Sequence, residues 1–207
     1  MADSGVERDI IWNTAQEMGE SRIYISGEVV AADYDALAAL SITHVAPVGS
    51  FLERPFGERG IEYGPLVSVL DMPNEDLLSH FDAGVAFIRS ALASSPSARI
   101  LVHCAHGQSR SATMVAAYLI ADHGMSPTEA CHFIAQHRPV TEPNQGFLLQ
   151  LKLYAAIGAS TSSPTLPHGP SLLAAYLSGS GPYIYVPPWA HKKKQKAKKS
   201  AQPVAQG

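Results

Sequence analysis

The stretch HCAHGQSRS, from His103 to Ser111, constrains this chain more than any other part of it. It sets a thiol, Cys104, and a guanidinium, Arg110, six positions apart with glycine and serine between them. The apolar run Arg99 to Val102 leads in and reads as a buried strand. A helix-like run from Ala112 to His123 leads out and stops at Gly124. A strand that delivers a cysteine to a loop opening onto a helix has a chemical consequence. The loop N–H groups and the helix dipole converge on one point, where they bind a phosphate dianion and favour a thiolate.

The flanking pattern extends the α/β reading in both directions. Arg22–Gly27 reads as a short strand, Asp33–Leu40 as a helix with Leu37 and Leu40 inward, and Thr43–Val48 as a strand ended by Gly49. Ile61–Tyr63 and Leu66–Leu70 read as further strands, the second running into Asp71. A helix starts at about Asp76 or Ser79 and ends at Ala93, before the Ser-Pro punctuation at 94–97. Ser126, Pro127 and Glu129 spell a capping box with proline at the first helical position, which predicts a helix to about Gln136. Asn144 caps a last helix that ends at Gly158, with Phe147, Leu148, Leu151 and Tyr154 inward. The expected fold is α/β, in three layers, with a mostly parallel central sheet flanked by helices.

The expected organisation is an N-terminal extension over 1–20, a catalytic domain over 21–158, and a Ser/Pro/Gly-rich linker with a basic tail over 159–207. Within that last part, Ser171–Leu177 and Tyr183–Val186 are apolar enough to dock back on the domain. The net charge of −3 hides a division. All 18 acidic residues lie at or before Glu142 and face nine basic ones through Lys152, while six lysines crowd 192–199. A body this acidic is a poor general nucleic-acid binder, so its affinity for phosphate must come from local geometry. The tail reads as a solubilising segment that contacts anionic surfaces or import machinery.

No apolar run reaches the roughly 18 residues of a membrane span, and the N-terminus lacks a secretory pattern. Cys104 and Cys131 are the only cysteines, too few for a disulfide framework or a structural zinc site. A reducing compartment, cytoplasmic and also nuclear, is expected.

The loop residues suit phosphoryl transfer. That chemistry needs an in-line nucleophile, charge on the equatorial oxygens, and a proton for the leaving oxygen. Cys104 is the candidate nucleophile and Arg110 the fork that bridges two phosphate oxygens. Gly107 lets the backbone approach, and Ala105, His106, Gln108 and Ser109 complete the phosphate-binding loop, with His106 outward. Ser111 is placed to hydrogen-bond the sulfur, and His103 to fix the loop from behind. The acid comes from elsewhere. Asp71, 33 residues before Cys104 in a proline-containing loop, is the leading candidate, with Glu75 and Asp76 as rivals. A mobile loop is expected to carry it over the phosphate.

These residues together resemble the dual-specificity branch of the cysteine-dependent protein-tyrosine phosphatases. The resemblance covers Ser21 to Gly158 and meets the pattern His-Cys-x-x-Gly-x-Ser-Arg-Ser at every fixed position. Asp71 falls six residues before Leu77, where that family places its acid. Arg138-Pro139 and Pro143–Phe147 are similar to its segment after the catalytic helices, where Asn144 buttresses the loop. Asp76–Phe81 and Gly146–Tyr154 are most like members that carry a zinc-binding C-terminal domain, yet no cysteine follows Cys131 here. Ala112 stands where the family usually has proline. The resemblance implies a protein-tyrosine-phosphatase-like fold and no metal or other cofactor. It also implies hydrolysis of phosphotyrosine and phosphoserine/threonine in phosphoprotein substrates through a cysteinyl phosphate. Two alternatives stay open: a phosphatase of phosphoinositide, glucan or RNA 5′-phosphate, and a phosphate-binding scaffold without turnover.

Overall fold

Three short strands buried on both faces build the centre of the molecule. A computed structural model describes residues 15–18 and 22–161. The apolar segments expected at 171–177 and 183–186, and the lysine run, lie outside the described residues. Strand β1 (Gln16–Glu17) pairs antiparallel with β2 (Ile23–Ser26). Helices α1 (Glu28–Ala31) and α2 (Tyr34–Ala39) follow, then β3 (His44–Pro47) and β4 (Glu62–Tyr63). Helix α3 (Phe81–Ser94) precedes β5 (Ile100–His103), after which come α4 (Arg110–His123), α5 (Pro127–His137) and α6 (Gln145–Ala156).

The sheet order is β1-β2-β5-β3-β4, parallel except for β1. Side chains alternate between faces along each strand, so the sheet divides two cores. Ile23, Ile25, Ala46, Ile100 and Val102 face the larger core built with α3 to α6. Tyr24, Val45 and Leu101 face the smaller one, closed by Leu37 of α2 with Ile42 and Ile61. The three-layer, mostly parallel arrangement expected from sequence is the one observed.

Register then decides where a ligand can sit. Ser26, His103 and Pro47 are paired neighbours at the carboxyl ends of β2, β5 and β3. Ligands of open α/β sheets bind beyond such strand ends. The loop from Cys104 to Ser109 rises there, and α4 carries it inward. Every residue of α4 from Arg110 to Ile120 is buried, as expected for a helix apolar on all sides.

Local signals set most element ends. Asp33 accepts from the Asp35 and Ala36 amides to start α2, and Gly124 takes the left-handed conformation that closes α4. Ser126 and Glu129 form the full capping box of α5, and Asn144 accepts from the Phe147 amide to start α6.

Three expectations need correction. The strand expected over Leu66–Leu70 is only a bridge between Val48 and Val67. Its alternation is real, with Val67 and Val69 buried and Leu66 and Leu70 exposed, and the Gly49 and Ser50 amides donate to Val67 O and Val69 O, but regular ladder pairing is confined to the one bridge. The helix expected from Asp76 or Ser79 begins as a 3-10 turn, Leu78–His80, and becomes α-helical at Phe81. Residues 16–18, assigned by sequence to an extension, belong to the sheet and its core, where Met18 is buried. Two polar residues give no strand periodicity to find.

Candidate active site

Outward-tied carbonyls shape the loop after β5. Ala105 O accepts from the Glu28 amide at the start of α1, and Gln108 O from the Glu142 amide. Gly107 O accepts from Arg138 Nε at 2.9 Å and His106 O from Arg138 Nη2 at 3.3 Å. A trans peptide points its C=O and the next N–H in opposite directions. Carbonyls held outward at 105 to 108 therefore aim the amides of His106, Gly107, Gln108 and Ser109 into one concavity. Gly107 makes this curvature possible. Its φ of 66° is left-handed, and a Cβ there would strike the backbone of Ser26.

Cys104 lies at the floor of that concavity and is buried. The Gly107 amide donates to its Sγ at 3.2 Å, and Ser111 Oγ donates at 3.3 Å. Both donors converge on the one sulfur. Arg110, the first residue of α4, is 8% exposed, with Nη1 donating to Val69 O at 3.3 Å. Its Nε has no hydrogen-bond partner among the described residues. The site thus brings together a cysteine sulfur, converging amides and a fork-shaped cation.

Asp71 reaches this loop from the other side. Its Oδ1 accepts from Ser109 Oγ at 2.7 Å and from Asn144 Nδ2 at 2.8 Å, and its Oδ2 lies 3.9 Å from Arg110 Nε. The two rival carboxylates are engaged elsewhere. Glu75 accepts from the Leu70 amide and Asp76 from the Ser79 amide. Asn144 links three parts at once, because its own amide also donates to Ser109 Oγ at 3.1 Å.

The expected mobile loop is instead fastened to α6 at three points. Asn144 holds Asp71, Gly146 packs so closely on the Pro73 backbone that a Cβ has no room, and Gln150 grips the chain from Glu75 to Leu78. Gln150 Oε1 accepts from the Leu77 and Leu78 amides, and its Nε2 donates to Glu75 O.

His103 also departs from expectation. Its ring is buried, and neither nitrogen has a hydrogen-bond partner among the described residues, so it does not tie the loop by such a bond. Burial pushes its pKa down to about 4, only partly opposed by the Cys104 backbone, and leaves the imidazole neutral. His106 is exposed and turned outward.

The roles of two residues here were not legible in the sequence. Arg138 is fully buried and is the tie for two loop carbonyls, with Nη1 donating to Gln16 of β1 as well. Burial lowers its pKa to about 10, and the charge of Cys104 opposes that fall. Gln150 is the other. The signal for either was faint: an arginine before proline at a helix end, and a glutamine on the inward stripe of a helix. Cys131 lies in α5, half-buried and unpaired, and desolvation raises its thiol pKa.

The comparisons with known proteins agree with this geometry. The family model for the dual specificity phosphatase catalytic domain matches residues 23–157. Dual specificity protein phosphatase 1 of Arabidopsis thaliana is 37% identical over 133 residues, 64% of this chain and 65% of that protein. Dual specificity protein phosphatase 26 of Bos taurus is 41% identical over 133 residues, 62% of each chain. The chain therefore spans just under two thirds of these curated relatives. Among solved structures, the Yvh1 phosphatase domain from Chaetomium thermophilum superposes with a TM-score of 0.65 at 27% identity. That match covers 72% of this chain and 100% of the other. With the amide-lined loop, its cysteine and its arginine already in place, the match over most of the described residues leads to one conclusion: the chain belongs to the dual specificity phosphatase family.

Proposed function

We propose that this chain hydrolyses phosphotyrosine and phosphoserine/threonine in proteins through a cysteinyl-phosphate intermediate. One observation carries the reading: the Cys104 sulfur, hydrogen-bonded by Gly107 and Ser111, sits under converging amides, with Asp71 beside Arg110. The amides and Arg110 hold the three equatorial oxygens while Sγ attacks phosphorus opposite the leaving oxygen. As the P–O bond breaks, Asp71 gives its proton to that oxygen. Water then attacks the cysteinyl phosphate and Asp71, now a carboxylate, takes the proton from it. The P–S bond breaks, Ser111 donates to the departing thiolate, and inorganic phosphate leaves. Arg138 and Asn144 position the loop and the acid without touching the reacting atoms.

The similarity to dual specificity protein phosphatases supports protein substrates. The loop positions Ala105, His106 and Gln108 carry no lysine, which favours a protein monoester over a multiply charged headgroup. The scarcity of cysteine supports a reducing compartment, the cytoplasm, and the lysine run supports access to the nucleus as well.

The test uses purified protein on p-nitrophenyl phosphate, a phosphotyrosine peptide, a phosphoserine peptide and a phosphoinositide, beside Cys104→Ser. Turnover of the aryl phosphate and both peptides, abolished in the variant, is expected. Wild type equal to Cys104→Ser on every substrate would sink the enzyme reading, and a clear preference for the lipid would replace its substrate.

A further inference from the structure

A second cavity opens beside the phosphate loop, on the α1 side of the sheet. It encloses about 360 Å³ and is lined by Val29 and Ala32 of the α1 segment and by Phe51 and Leu52 after β3. Glu28 and Glu53 also line it, and the ring of His103 closes its inner wall. Residues two apart on a strand share a face, so His103 points with Leu101 toward the smaller core, away from α4. The cavity is close to the chemistry nonetheless. His103 is bonded to Cys104, and Gly49 separates the two sites. A Cβ at Gly49 would lie 2.5 Å from Arg110 Nη1 and 3.3 Å from Leu52 Cδ1.

The lining favours one kind of occupant. Glu28 and Glu53 are exposed carboxylates with no cation paired to them among the described residues. Arg59 is engaged elsewhere, stacked 3.4 Å from the Tyr34 ring centroid. Phe51 is 96% exposed and offers a bare ring face beside the two carboxylates. Val29, Ala32 and Leu52 give an aliphatic stem something to pack against. His103, held neutral by burial, adds no repulsion at the inner wall.

We propose that this cavity is a specificity subsite that takes a lysine or arginine side chain flanking the phosphorylated residue of a protein substrate. The proposal rests on the phosphatase reading above and names the substrate class of that same site. A peptide whose phosphate lies in the Cys104 loop crosses the strap at Gly49 and Leu52 and delivers a basic side chain beyond it.

The test measures kcat/KM on phosphotyrosine peptides in which one arginine, or one glutamate, is scanned through the three positions on each side. p-Nitrophenyl phosphate, which cannot reach the cavity, is the reference. Two full-length variants are compared with wild type. Glu53→Lys cancels the charge of the pair at a residue clear of the loop, and Ala32→Leu fills the space at unchanged charge.

Arginine at one position is expected to exceed glutamate by about fivefold, the scale of one or two partly exposed ion pairs. Both variants are expected to bring that ratio near one while leaving p-nitrophenyl phosphate turnover unchanged. A ratio that survives both variants overturns the proposal. A ratio lost with the charges but kept in Ala32→Leu also overturns it, because it assigns the preference to the overall field. If the preference appeared only after the six tail lysines were replaced by alanine, the occupant would be the tail, not the substrate. Failure on p-nitrophenyl phosphate itself would instead fault the phosphatase reading.

Discussion

Asp71 differs from the other carboxylates around the site in what holds it. Ser109 and Asn144 both donate to Oδ1, which leaves Oδ2 turned toward Arg110, where a bound phosphate would sit. Glu75 and Asp76 accept from backbone amides and so serve the loop's own shape. The substitution that separates positioning from proton transfer is Asp71→Asn, whose carbonyl oxygen still accepts from Ser109. Turnover of a phosphotyrosine peptide, a poor leaving group, is expected to fall about 100-fold, the usual scale of general-acid catalysis. Turnover of an activated aryl phosphate should fall far less, because its leaving oxygen needs no proton. Equal losses on the two substrates would remove Asp71 from the acid role. Cys104, Arg110 and Ser111 stand close in the chain, and their meeting was legible from spacing alone. Arg138 was not. The carbonyl it bonds belongs to Gly107, 31 positions away, and nothing local distinguishes it from a solvated arginine.

Helix α6 holds Asp71, the proposed acid, in place. Its Asn144, Gly146 and Gln150 meet the segment 71–78 at successive points, so the helix works as a clamp along that loop. The helix itself could be read from the Asn144 cap and the apolar stripe of Phe147, Leu151 and Tyr154. Its second duty could not, because a buried glutamine looks like any polar interruption until its partners, 72 to 75 positions away, are known. The same limit explains Leu66–Leu70. Its alternation correctly marked Val67 and Val69 as buried, but how far pairing runs depends on the backbone of residues 48–50, which bonds to it through two amides and a single bridge. Gln150→Leu keeps the volume and strips two amides and a carbonyl of their partners. The unfolding free energy is expected to drop by about 3 kcal/mol, the cost of leaving such buried groups unpaired. Among molecules still folded, kcat should fall with KM nearly unchanged, since the phosphate-facing amides are untouched. Gln150→Glu keeps the double acceptor and should recover much of the stability in urea denaturation. If both variants matched wild type in kcat, α6 would be support for the fold and no clamp for the acid.

Across the whole molecule, the sheet assigns the two cores different work. The face covered by α3 to α6 carries Arg110, Ser111 and Asn144, while the α1–α2 face receives His103, and alternation along β5 makes that division. Alternating strands and capped helices made the layers legible, but which side His103 would serve depended on the register of β5 between β2 and β3. His103 consequently ties global stability to pH. Its folded pKa is lowered from 6.5 to about 4, so the unfolded chain takes up a proton that the folded one refuses. Stability from this residue is complete above pH 6.5 and is lost as pH falls toward 4. A shift of that size corresponds to about 3 kcal/mol across the window. Carboxylates titrate in the same range, so the comparison that isolates the residue is wild type against His103→Leu, each unfolded in urea at steps from about pH 7.5 to about pH 4. The variant has no proton to gain and also loses two unpartnered ring nitrogens, so it should match or exceed wild type at neutral pH. Its advantage should widen by about 3 kcal/mol toward pH 4. Parallel curves over the whole range would mean that His103 titrates alike in the folded and unfolded chains, which a ring this buried and this short of partners does not allow.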